Sequence, residues 1–115
     1  MDAPAIDRAT FTELQEAAGA EFVAELVDTF VEDAPALIAE LRSARAGADA
    51  DRFRRAAHSL KSNSHTFGAA TLGGLARALE LKGLDPDPAG DAAAIDAIEA
   101  AYARAAAELK ALSHG

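Results

Sequence analysis

Phe53-Arg54-Arg55-Ala56-Ala57-His58-Ser59-Leu60-Lys61-Ser62-Asn63-Ser64-His65-Thr66-Phe67-Gly68 is the segment around which the rest of the chain is read. Its apolar residues recur with a helical rather than a strand period. Each helical residue turns by ~100°, so with Phe53 at zero Ala57 falls at ~40°, Leu60 at ~−20° and Ser64 at ~20°. With Phe67 these residues define the face turned to the core. On the same wheel Lys61 lies at ~80°, Arg54 at ~100°, His65 at ~120° and His58 at ~140°. Those four are expected to form one solvent-facing stripe beside the core, with Ser62 at ~180°, farthest from it. Asp49 or Asp51 caps the start, the helix runs to about Thr66, and Gly68 marks a turn.

Similar patterns flank this helix. Upstream, Phe22, Val23, Leu26, Val27, Phe30, Val31, Leu37, Ile38 and Leu41 predict a long helix over about 20–46. Pro35 lies inside it, must remove one backbone hydrogen bond and is expected to kink it, and Gly47 closes it. Before that, Asp7 or Thr10 can cap a short first helix, with Thr10-x-x-Glu13 spaced as a capping box and Gly19 as its end. Downstream, Leu72, Leu75 and Leu79, with Leu84 beyond them, predict a helix over about 69–83. Its Gly73-Gly74 pair reads as close helix packing. Leu84-Asp85-Pro86-Asp87-Pro88 is a connector, with Asp87 as cap and Pro88 as the first residue of a last helix to about Leu112. Ile95, Ile98, Tyr102, Ala105, Ala106 and Leu109 give that helix a narrow stripe. The fold class expected is all-α: an up-and-down antiparallel four-helix bundle with a short extra N-terminal helix, one domain over residues 1–115.

Composition agrees with helices. The chain contains 32 Ala, the best helix former, and only 8 Gly and 4 Pro. It has no Cys, which excludes a disulfide framework, a Cys-based zinc site and a thiol nucleophile. No apolar run approaches the ~18–20 residues of a membrane span, and residues 1–20 lack the pattern of a signal peptide, so a cytoplasmic protein is expected. Net charge is −8, which disfavours nucleic acid and anionic lipid as partners. The charge is unevenly spread. Residues 1–51 carry −9 and residues 85–115 carry −4, whereas residues 52–84 carry +5 from Arg52, Arg54, Arg55, Lys61, Arg77 and Lys82 against Glu80. A basic island in an acidic chain is either a solvated helix face or a site for something negative.

Several chemistries compete for His58. A partly exposed imidazole one turn from an ammonium suits attack on a phosphoryl group, with Lys61 steadying the transferred oxygens. An ordinary surface histidine has the same periodicity. A shared metal with His65 fits poorly, because seven helical residues span ~10 Å, and no metal site is expected. A Ser-His hydrolase lacks its strand–turn–helix elbow.

The run Ala57-His58-Ser59-Leu60-Lys61-Ser62-Asn63-Ser64-His65-Thr66-Phe67-Gly68-Ala69 resembles the signature of histidine-containing phosphotransfer domains. That signature reads His-x-Leu-Lys, then small residues, a hydrophobic residue, Gly and Ala. Phe30-Val31-Glu32-Asp33-Ala34-Pro35 and Leu79-Glu80 are similar to that family too, and the resemblance covers about residues 20–84. It implies a phosphorelay carrier with no kinase or ATPase activity of its own. A receiver domain of a hybrid histidine kinase would donate, and the receiver of a response regulator would accept. By this resemblance His58 is the phosphoacceptor and Lys61 its phosphate partner. Glu80 orients the histidine through its second ring nitrogen, although pairing with Arg77 at i−3 is an equal alternative. Partner docking falls to Arg54, Arg55, Ser62, His65 and Gly68. The chain needs no cofactor of its own, since magnesium belongs to the receiver. Asn63 and His65 depart from the small residues usual at their positions. A kinase dimerisation helix pair is a further reading, disfavoured because the usual acidic residue and proline do not follow the histidine. A non-phosphorylated helical interaction module or kinase inhibitor of the same fold is the alternative. A free-standing monomer is expected from Met1 and the compact ends.

Overall fold

The structure is a computed structural model that describes residues 5–114. Met1, on which the expectation of a free-standing chain partly rests, lies outside the described residues. Among these there are five helices: α1 (Arg8–Ala18), α2 (Ala20–Ala46), α3 (Ala50–Thr66), α4 (Ala70–Lys82) and α5 (Pro88–His114). Helices α2 to α5 pack as a ring, each touching the next and α5 returning to α2, while α1 leans on α2. Short connectors force successive helices to run antiparallel. The bundle expected from the sequence is therefore the one observed.

Side-chain caps set the helix starts. Asp7, not Thr10, caps α1, its carboxylate accepting from the Ala9 amide at 3.2 Å. The expected Thr10–Glu13 capping box is absent, because Thr10 already lies inside the helix and its hydroxyl donates to Asp7. Asp49, not Asp51, caps α3 by accepting from the Arg52 amide. Asp87 caps α5 through the Ala89 amide.

One core runs through the ring. Val23, Val27, Phe30, Ile38 and Leu41 of α2 meet Phe53, Ala57 and Leu60 of α3, Leu72 and Leu79 of α4, and Ile95, Ile98 and Leu109 of α5. Full burial of one such aliphatic side chain contributes about 1.5–3 kcal/mol. Phe22, expected in this stripe, is instead 52% exposed in the first turn of α2. The end of the ring beside the α3–α4 turn is closed by Ile6 and Phe11, both buried.

Helix α2 continues through Pro35. A proline cannot donate to the carbonyl four residues back, which here belongs to Val31. The Tyr102 hydroxyl of α5 takes that place, donating to the Val31 carbonyl at 2.7 Å. Burial raises the Tyr102 phenol above its ordinary range, so it remains a donor. Tyr102→Phe should cost about 1 kcal/mol of unfolding free energy in a denaturant titration, with helix content unchanged. An unchanged midpoint would show that solvent satisfies Val31 equally well.

Candidate functional site

Helix α3 presents four different flanks, and its neighbours decide what each can do. The core flank carries Phe53, Ala57, Leu60 and Ser64, all buried. The buried Ser64 hydroxyl is satisfied by the Leu60 carbonyl at 2.6 Å. Toward α2, Arg52 pairs with Glu40 at 2.7 Å. Beside that pair, Arg55 joins Leu37, Glu40, Arg52, Ala56 and Ser59 in lining an open groove. The outward flank carries His58, Ser62 and Thr66, all exposed.

The flank toward α4 carries the expected stripe, with Arg54, His58 and His65 exposed and Lys61 half-buried. Arg54, Lys61 and His65 also lie along the seam between α3 and α4. The Arg54 guanidinium rests against the backbone of Gly83, where a Cβ would meet its Nη2 at 3.2 Å. The His65 ring covers Gly73, where a Cβ would lie 2.8 Å from Cε1 and 2.9 Å from Nε2. Gly73 thus provides the close packing expected of the glycine pair, whereas a Cβ at Gly74 would point into open space. The wheel placed these three side chains correctly relative to the core. It could not say which helix would stand beside them.

Gly68 also moves out of its expected role. It is buried at φ +79, its carbonyl accepts from the Asp7 amide at 2.7 Å, and a Cβ there would meet the Asp7 carbonyl at 2.8 Å. A buried residue offers no docking surface, so Gly68 serves the α3–α4 turn and its contact with the start of α1.

At the middle of the seam one carboxylate links two cationic or titratable groups. Glu80 Oε2 lies 2.6 Å from His58 Nδ1, and Glu80 Oε1 accepts from Lys61 Nζ at 2.7 Å. Of the two partners weighed for Glu80, the contact is with His58. No pair with Arg77 occurs among the described residues. The Lys61 hydrogen bond, reinforced by that of His58, holds the Glu80 carboxyl below its ordinary range despite partial burial. Glu80 therefore stays ionised well into acid, and an ionised carboxylate is acceptor-only. In the neutral imidazole the proton must then sit on Nδ1, which donates to Glu80 and leaves the lone pair on Nε2. The His58 side chain is 58% exposed, against 22% for Glu80 and 23% for Lys61. A nucleophilic nitrogen is thus held at the surface, with a half-buried ammonium one turn away.

Among the described residues no group of three His, Cys, Asp or Glu side chains converges on a metal-sized site. No helix among them is long and apolar enough to cross a membrane.

A second polar cluster, unforeseen in the sequence, lies where α4 leads into α5. Asp91 is fully buried on α5 and accepts from Arg45 Nη1 at 3.0 Å and from the Asp85 amide at 2.9 Å. Lys82 Nζ stands 3.2 Å from its other oxygen. Arg45 also donates to the Asp85 carbonyl at 2.7 Å, which ties the connector to the end of α2. The signal was present: Asp91 precedes Ile95 by four residues and Ile98 by seven, placing a carboxylate in the core stripe of α5.

Comparisons with known proteins agree with this geometry. The crystal structure of histidine-containing phosphotransfer protein B (HptB) from Pseudomonas aeruginosa PAO1 superposes with a TM-score of 0.84 at 29% identity, covering 98% of this chain and 97% of that one. No curated protein sequence matches significantly. The family model for the Hpt domain matches residues 25–108, a span that holds His58, Lys61 and Glu80, all of α3 and α4 and most of α2 and α5, and on that match the chain belongs to the Hpt domain family.

Proposed function

We propose that the chain is a phosphorelay intermediate in which His58 accepts a phosphoryl group from a phospho-aspartate of one receiver domain and returns it to the aspartate of another. The observation that carries this reading is the 2.6 Å contact between His58 Nδ1 and Glu80 on an otherwise exposed ring. Attack by the Nε2 lone pair forms the N–P bond while the P–O bond to the donor aspartate breaks, and that aspartate leaves as a carboxylate. Positive charge develops on the imidazole as the bond forms. Glu80 sits where it offsets that charge, as a carboxylate does behind a general-base histidine. Lys61 has three donors, so it can keep Glu80 and also contact a transferred oxygen.

The chain's own residues supply the nucleophile and the charge around it. Magnesium is assigned to the carboxylate cluster of the receiver, so the chain acts as a stoichiometric carrier. The donor is assigned as a hybrid histidine kinase receiver and the acceptor as a response-regulator receiver, all cytoplasmic, with this chain monomeric. Arg54 and Arg55, on opposite flanks of His58, give the surrounding surface a positive field suited to an acidic pocket, and their contribution should weaken with salt. Nucleic acid and membrane are not among the proposed partners.

The deciding experiment supplies phosphoryl donors in turn. Purified chain with ATP and magnesium should remain unlabelled, and acid-labile, base-stable label should appear when a phospho-receiver is added. Labelling from ATP alone would refute the carrier reading. Lys61→Ala should slow transfer on the order of tenfold, less than the loss of a donor in a closed oxyanion site, because this one is open to water. Ser62 is exposed and farthest from the core. Ser62→Trp should therefore weaken receiver binding by at least about tenfold, or ~1.4 kcal/mol, with helix content retained. Unchanged affinity would move the docking face elsewhere.

A further inference from the structure

Two contacts along the α3–α4 seam repeat with the same spacing on both helices. His58 meets Glu80, and seven residues further along α3 His65 meets Gly73, which precedes Glu80 by seven on α4. Seven residues are two helical turns, ~10 Å, so both contacts lie on one face of each helix. The second contact is a ring laid over a missing side chain. Gly73 is buried, and the His65 ring occupies the space into which its Cβ would project, with three ring atoms within 3.1 Å of that point. Helices approach until side chains meet. The buried Leu60, Leu72 and Leu79 fill the inner side of the α3–α4 interface, and the His65 ring, itself exposed, fills the outer side over Gly73. The seam has a matching stop at its other end, where Arg54 lies against Gly83. Glu80 lies between these two stops. Its position opposite His58 is therefore flanked by a contact on either side, and a hydrogen bond of 2.6 Å tolerates little displacement.

We infer that His65 is a positioning residue for the transfer reaction: its ring spaces α4 from α3 so that Glu80 holds the proton of His58 on Nδ1. His65 keeps an exposed side, so this role stands beside partner docking and does not replace it. It rests on the reading of His58 as the acceptor, but the tautomer itself can be measured without any transfer.

The test uses nitrogen-15 NMR of the His58 ring in the full chain, above the pH at which histidines are charged, alongside phosphoryl uptake from a phospho-receiver. The parent chain should show the Nδ1–H tautomer. His65→Ala should move the ring-nitrogen signals of His58 toward the Nε2–H form and slow uptake on the order of tenfold. His65→Phe, which keeps a flat ring, should restore both. Gly73→Ala, which displaces the ring from the other side, should shift the same signals and guards against an uninformative fold defect in His65→Ala. Ring-nitrogen signals unchanged in both His65→Ala and Gly73→Ala would overturn the inference, as would a loss in His65→Phe equal to that in His65→Ala. If the signals shift as expected while even the parent chain takes no label, the positioning role stands and the transfer function falls.

Discussion

His58→Gln should fold like the parent chain and take no label from any phospho-receiver. The side chain is more than half exposed and its hydrogen bond is to Glu80, so its replacement removes that bond and little buried surface. Lys61 continues to hold Glu80 at 2.7 Å, which leaves the carboxylate paired and the seam intact. Glutamine can still donate to Glu80 through its amide, so thermal stability should change by less than about 0.5 kcal/mol, the range of surface substitutions. Its amide has no lone pair basic enough to attack phosphorus, and loss of the nucleophile removes the N–P bond altogether rather than slowing its formation. The measurement is label transferred per chain at saturating phospho-receiver. Retained labelling would reject His58 as the acceptor and direct the search to His65. That residue is a poor candidate on geometry, because one face of its ring is packed against Gly73.

The bundle was legible because its helices announce themselves twice, by apolar residues at helical spacing and by punctuation at the ends. Gly19, Gly47, Gly83 and the Asp85–Pro88 connector fall where helices stop or start. The segment around His58 was legible for a related reason, since a wheel separates core from surface within one helix. What a wheel cannot give is the identity of the neighbour on each flank. Arg54, Lys61 and His65 were placed at the right angles, yet their character changes once α4 stands beside them. The choice between Arg77 and His58 as the partner of Glu80 had the same origin: one contact is local in sequence and the other crosses helices. Gly68 was recognised as a turn residue, but its burial depends on Asp7, sixty-one positions earlier in the chain, which no local pattern reveals. Tyr102 and Val31 illustrate the same limit, because the proline that frees a carbonyl is visible in the sequence and the hydroxyl that reaches it is not.

Asp91→Ala should be the most destabilising single change outside the apolar core. Its carboxylate is fully buried, accepts from Arg45 and from the Asp85 amide, and faces Lys82 at 3.2 Å. Removing it leaves Arg45 mostly buried with Nη1 bonded only to the Asp85 carbonyl and Nε already without a partner. The cost of the pair and the cost of breaking it differ. A buried ion pair contributes little net stability, because desolvation offsets the attraction, but deleting one partner exposes the full desolvation penalty of the other. That penalty is about 3 kcal/mol, which for a chain of this size lowers the melting temperature by roughly 10–15 °C. Asp91 also accepts the amide that starts the α4–α5 connector, so its loss should free the segment around Asp85 first, and amide exchange there should quicken more than in α3. The double variant Arg45→Met with Asp91→Leu should recover much of the loss, because it removes both charges and fills the same space. Thermal unfolding of the single and double variants checks the account. A fall of less than about 3 °C in the single variant, roughly 1 kcal/mol or less, would mean that Arg45 and Lys82 find other partners at little cost.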